Sequence, residues 1–176
     1  GKRQRGGGVP LHHTIGLNMH DAILVIDVQQ GLFNTDPAPH EAREVVERIN
    51  TLTAHARALR IPVFMIQHER PDTPLEYGSE GWELLTGLVV SQTDVMIRKT
   101  SPDSFLRTKL LQELQARSID RLVVCGYATE FCVDTTVRSG AAHGYPVVLV
   151  SDGHTSHDKE HMSAQRIRDH HNATLP

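Results

Sequence analysis

"LVVCGYATEFCVDTTVRSGAAHGYPVVLVSDGH" (Leu122–His154) opens and closes on short apolar runs and carries a helical pattern between them. "RLVVCG" (Arg121–Gly126) and "PVVLVS" (Pro146–Ser151) are brief and continuous, as expected of strands covered on both faces. Between them, Val133, Thr136, Val137, Gly140 and Ala141 recur at helical spacing. Strand, helix, strand over so few residues predicts two parallel strands joined by a crossover helix.

The same alternation extends outward. "AILVID" (Ala22–Asp27) is a first strand, followed by a helical face of Ala42, Val45, Val46, Ile49, Leu52, Thr53, Ala56 and Leu59. "IPVFMI" (Ile61–Ile66) and "DVMIR" (Asp94–Arg98) are further strands. Phe105, Leu106, Leu110, Leu111 and Leu114 form the next helical face, and a closing helix is expected over about Lys159–His171. The pattern predicts an α/β fold: a parallel sheet between two helical layers, with its ligand crevice beyond the carboxyl ends of the strands. Residues 67–90 are too many for a plain connection, so they are read as a lid or pocket wall.

The 176 residues suffice for one domain with a full core, and 39% hydrophobic content with mixed charge fits a soluble protein. No apolar run is long enough to span a bilayer, and neither a secretory leader nor a disulfide framework is evident. A cytoplasmic location is the expectation. Three of the 18 basic residues, Lys2, Arg3 and Arg5, precede the first acidic residue, Asp21. The rest of the chain is net acidic, which argues against nucleic-acid binding. Residues 1–18 lack periodicity and are read as an appended or flexible tail, with the domain spanning 19–176.

Three reactive groups fall at the predicted crevice. Asp27 ends the first strand after five apolar residues, where a carboxylate needs a partner. Lys99 directly follows the third strand, and Cys132 begins a helix just beyond the fourth. A helix start and a neighbouring cation lower a thiol's pKa, so Cys132 is a candidate nucleophile, with Asp27 as proton acceptor and donor. The same turn exposes backbone N–H groups suited to an oxyanion. Cys125, within its apolar strand, is read as inert core.

"AILVIDVQQGLF", "RKTSPDSFLRTKLLQEL" and the stretch quoted first together resemble the isochorismatase-like cysteine hydrolases, over essentially all of Ala22–Leu175. The resemblance implies a three-layer α/β/α, Rossmann-like fold with a six-stranded parallel sheet. It implies an Asp27–Lys99–Cys132 triad and a cis peptide between Tyr127 and Ala128. The amides of Ala128 and Cys132 would then face the substrate oxygen, with Gln29 holding the loop beside the aspartate. It also implies a homo-oligomer, dimer or tetramer. Metal-binding nicotinamidases of this kind carry an aspartate–x–histidine pair where this chain reads "QHERPDTPLEYGSEGWEL" (Gln67–Leu84), so neither metal nor other cofactor is expected.

Retention of Cys132 favours cleavage of a small-molecule amide or related C–N bond, since vinyl-ether cleavage of the isochorismatase type needs no thiol. The vinyl-ether reaction and a non-enzymatic redox thiol remain the alternatives. Phe33, Trp82, Tyr127 and His68 are candidate substrate-binding residues. "HTSHDKEH" (His154–His161) spaces His154, His157 and His161 suggestively for a metal, but a solvated start to the last helix is the preferred reading.

Overall fold

The computed structural model describes residues 15–175. Five strands, β1 (Asp21–Ile26), β2 (Val63–His68), β3 (Val95–Lys99), β4 (Arg121–Tyr127) and β5 (Val147–Thr155), form one parallel sheet in the order β3-β2-β1-β4-β5. The expected sixth strand is not found among the described residues. After β5 the polar run from Ser156 to Ser163 supplies no apolar stretch to extend the sheet, and the chain passes into helix.

The helices are α1 (Gln30–Phe33), α2 (Ala42–Ala58), α3 (Leu110–Ala116), α4 (Asp134–Ala142) and α5 (Ala164–Thr174), with a π-helical turn at Thr129–Val133 leading into α4. Alternate strand residues supply two cores. Ile23, Val25, Val63 and Met65 pack on Val45, Ile49 and Leu52 of α2. Leu24, Ile26, Phe64 and Val124, on the opposite face, pack on Leu110 and Leu114 of α3 and Val137 of α4. Continuous apolar strands thus give each face a hydrophobic layer, as a sheet between helices requires.

Four expectations from the sequence are corrected. The third helix starts only at Leu110; Phe105 is buried ahead of it and Leu106 is exposed, because residues 101–109 run through turns pinned by Ser104 and Asp103. Of the segment read as a solvated helix start, His154 and Thr155 instead continue β5, paired to Gly126 and Tyr127 across a register shift, and residues 156–163 form the connection to the last helix. The last helix accordingly begins at Ala164, capped by the Ser163 hydroxyl, which accepts from the Arg166 N–H. Within the expected tail, Ile15 is buried in the α2-side core and the Gly16 carbonyl accepts from Arg121, so residues 15–18 belong to the folded body. Residues 1–14 lie outside the described part of the chain.

No helix among the described residues is long and apolar enough to cross a membrane. From β1 the sheet grows to one side through β2 and β3, then returns to the other side with β4 and β5. The strand order therefore reverses between β1 and β4, and a crevice opens at that switch point.

Candidate active site

The carboxyl ends of β1, β2, β3 and β4 each deliver one part of a cluster. Asp27 follows β1 with φ of 54°, a left-handed conformation that aspartate tolerates better than most residues, and its N–H donates to the Ile66 carbonyl of β2. His68 and Lys99 end β2 and β3 and are register partners. Near the end of β4, Gly126 has a φ of 122°; a Cβ there would lie 2.1 Å from the Ile26 carbonyl oxygen, so only glycine fits against β1. The Tyr127–Ala128 peptide is cis, and Cys132 lies in the π-helical turn that follows.

Lys99 is the centre of this cluster. Its side chain is fully buried, and Nζ lies 3.2 Å from Asp27 Oδ2, 3.2 Å from Cys132 Sγ, 2.8 Å from His68 Nδ1 and 3.0 Å from the Ser101 carbonyl oxygen. An ammonium has no lone pair, so His68 Nδ1 must accept and the neutral ring carries its proton on Nε2. Burial and the Lys99 charge hold the His68 pKa below its ordinary value, in keeping with a neutral ring. The Asp27, His68 and Cys132 ligand atoms lie within 4.8 Å of one another, close enough to hold a metal. That central position is taken by the lysine ammonium, so a metal ion would have to displace it.

Cys132 is 9% exposed, and its thiol is pushed up to about 12, first by burial and then by the Asp27 charge, against the opposing pull of Lys99. A helix start and a neighbouring lysine favour a lowered thiol; burial reverses the sign. The second oxygen of Asp27, Oδ1, is buried with no hydrogen-bond partner and is therefore available to take a proton. In the π-helical turn the Phe131 and Val133 N–H groups both donate to the Ala128 carbonyl, the second as an i−5 bond. Cys125 is buried beneath the sheet surface, where burial alone raises its thiol to about 12.

A cavity of about 310 Å³ opens over this cluster. Asp27, His68, Ala128 and Cys132 form its polar floor, and Leu32, Leu75, Pro102, Tyr127 and Phe131 its wall. Of the residues expected to bind substrate, His68 and Tyr127 are here and two are not. Phe33 is buried behind the wall, edge-on to Tyr127 at 5.7 Å, because α1 turns its ring toward α2. Trp82 lies in a separate groove with Tyr77 and Arg98, while its carbonyl accepts from Gln29 and Gln67. Gln29 also bonds both backbone groups of His68, so it fastens the end of β2 to the loop carrying Asp27.

The histidines of the β5 end support this site from behind. His154 is fully buried, with Nδ1 2.8 Å from Thr129 Oγ1 and Nε2 2.7 Å from Asn172 Oδ1, which ties the π-helical turn to β5 and α5. His157 Nδ1 meets the Tyr127 hydroxyl at 2.7 Å. His161 is exposed and does not join them.

The isochorismatase domain model matches residues 21–174. An uncharacterised isochorismatase family protein of Bacillus subtilis, YddQ, is 33% identical over 76% of this chain and 77% of its own length. Streptothricin hydrolase of Streptomyces noursei is 34% identical over 78% of this chain, which spans only half of that protein. A crystal structure of an isochorismatase family protein superposes with a TM-score of 0.85 at 32% identity, covering 89% of this chain and 93% of that one. With sheet order, switch-point crevice and family match in agreement, the chain belongs to the isochorismatase family of hydrolases.

Proposed function

We propose that the protein is a cysteine hydrolase that cleaves a small-molecule amide or related C–N bond through an acyl-enzyme on Cys132. The observation that carries this reading is the bridging of Asp27 and Cys132 by one buried ammonium, 3.2 Å from each. A nucleophile, a proton carrier and a cation that favours charge on sulfur then share one site.

The raised thiol pKa decides how the reaction starts. At neutral pH the sulfur carries its proton, so attack on the carbonyl is coupled to transfer of that proton to Asp27 Oδ1. As the S–C bond forms, the carbonyl π pair moves onto oxygen, and the amides of Ala128 and Cys132 are assigned to receive that oxyanion. Collapse breaks the C–N bond, and protonated Asp27 gives its proton to the leaving nitrogen. Water then attacks the thioester, Asp27 takes one of its protons, and C–S cleavage releases the acid and restores the thiol.

Streptothricin hydrolase among the relatives supports hydrolytic chemistry on this scaffold. The test is ammonia release from a panel of primary amides by the wild type and Cys132→Ala, with intact-mass detection of a Cys132 acyl adduct. Turnover surviving in Cys132→Ala would rule the mechanism out. Release of pyruvate from an enol ether by Cys132→Ser would point instead to the vinyl-ether reaction.

A further inference from the structure

The wall of the cavity is informative about what can enter it. Its volume of about 310 Å³ lies at the lower end of the range for small-molecule sites, which suits a compact ligand. Above the floor the lining is hydrocarbon: Leu32 from α1, Leu75 from the long loop after β2, Pro102 from the turn after β3, and the ring of Phe131, itself 54% exposed at the rim. Tyr127 adds its ring, while its hydroxyl is bonded to His157 behind it.

Charge is confined to the floor. Lys99 already has four acceptors for three protons, including two backbone or ring atoms that compete with any incoming anion. No arginine or lysine lines the cavity among the described residues. Arg70 influences His68 at longer range but is exposed and is not part of the wall. A carboxylate entering this space would lose its hydration beside Asp27 and gain no counter-ion. The His68 ring, with its proton on Nε2, offers a neutral donor instead.

We propose that this site selects uncharged amides with a compact apolar acyl group and rejects substrates whose acyl group carries a carboxylate. The inference rests on the cysteine-hydrolase reading, which the test below separates from it.

Benzamide and 4-carbamoylbenzoate differ by one carboxylate and serve as the substrate pair. The expected result is a kcat/KM for benzamide at least about 30-fold above that for 4-carbamoylbenzoate, narrowing in Leu75→Arg, which places a cation in the wall. In parallel, Cys132 is alkylated with iodoacetamide and iodoacetate, and the rate ratio is compared with that of 2-mercaptoethanol. A ratio at least about 10-fold higher on the protein is expected. Equal or preferred use of 4-carbamoylbenzoate, or a ratio no higher than that of 2-mercaptoethanol, overturns the inference. So does an iodoacetate preference that disappears in Arg70→Ala, since that arginine would then be the counter-ion. Failure of both reagents to reach Cys132 would overturn it as well, by closing the cavity to small molecules. If neither amide is hydrolysed but alkylation still favours the neutral reagent, the hydrolase reading falls and the selectivity of the cavity stands.

Discussion

The Lys99 ammonium touches the Cys132 sulfur at 3.2 Å, yet the thiol stays protonated at neutral pH because burial and the Asp27 charge outweigh the lysine. Two substitutions should therefore move its reactivity in opposite directions. Asp27→Asn removes a charge that opposes the thiolate, so iodoacetamide should modify Cys132 about ten times faster at pH 8, while hydrolysis falls by about 10³-fold for want of a proton acceptor. Lys99→Met should slow the same alkylation. Rates for each variant by mass spectrometry, with ammonia release alongside, check both directions. Slower alkylation in Asp27→Asn would contradict the electrostatic balance described.

The pH dependence of that alkylation is a separate test. With its thiol near 12 rather than the ordinary 9, Cys132 exposes a thiolate fraction that grows roughly tenfold per pH unit through pH 7–10. The iodoacetamide rate should rise throughout this window. A rate already at its plateau at pH 7 would mean a preformed thiolate and a different first step.

Lys99 and Asp27 are 1% and 2% exposed, so neither charge can turn to water when its partner is removed. Lys99→Met should cost about 3–5 kcal/mol of unfolding free energy, because it strands a buried carboxylate. The double variant Asp27→Asn/Lys99→Met should recover much of that loss. Urea denaturation of the wild type, both single variants and the double variant measures the coupling; strict additivity would show that the pair does not interact.

How much of this was legible beforehand follows from what each residue needs. Asp27, Lys99 and Cys132 stood out because each interrupts an apolar strand end or a helix start, where a polar group requires a reason. Strand existence was readable for the same reason, although boundaries moved: β2 extends to His68 and β5 to Thr155, since the flanking polar residues pair backbone whatever their side chains. Most of the wall was not readable. Leu75 belongs to a long loop whose path is set by contacts such as Gln29 with Trp82 and the Gln29–Leu84 bridge, all distant in sequence. Phe33 and Trp82 were expected in the pocket because aromatic residues on loops often line sites, but composition does not tell which side of the backbone a ring takes. Tyr127 was anticipated, and Phe131, adjacent to Cys132, is a second wall residue whose position flags it. The sign of the Cys132 shift was also hidden, because burial depth is a property of the packed fold.

His154 makes the last prediction, on stability and not catalysis. Buried between Thr129 and Asn172, it is held down to about 4, first by loss of hydration, against an ordinary 6.5. The unfolded chain therefore binds more protons than the folded one between these values. Its contribution is complete above pH 6.5 and is lost as pH falls through the window to about 4, a total of about 3 kcal/mol. Replacing His154 with Gln should flatten that part of the stability–pH curve, whatever it does to stability at pH 7. Thr129→Val keeps the imidazole but removes the hydroxyl that donates to Nδ1; it should cost about 1–3 kcal/mol at pH 7 and retain a pH-dependent segment below 6.5. Urea midpoints at half-unit pH intervals from 7.5 to 4 distinguish these outcomes, each interval chosen to sample the ordinary and lowered values on either side of the transition. An unchanged slope in His154→Gln would assign the acid sensitivity to other groups and leave the imidazole as packing alone.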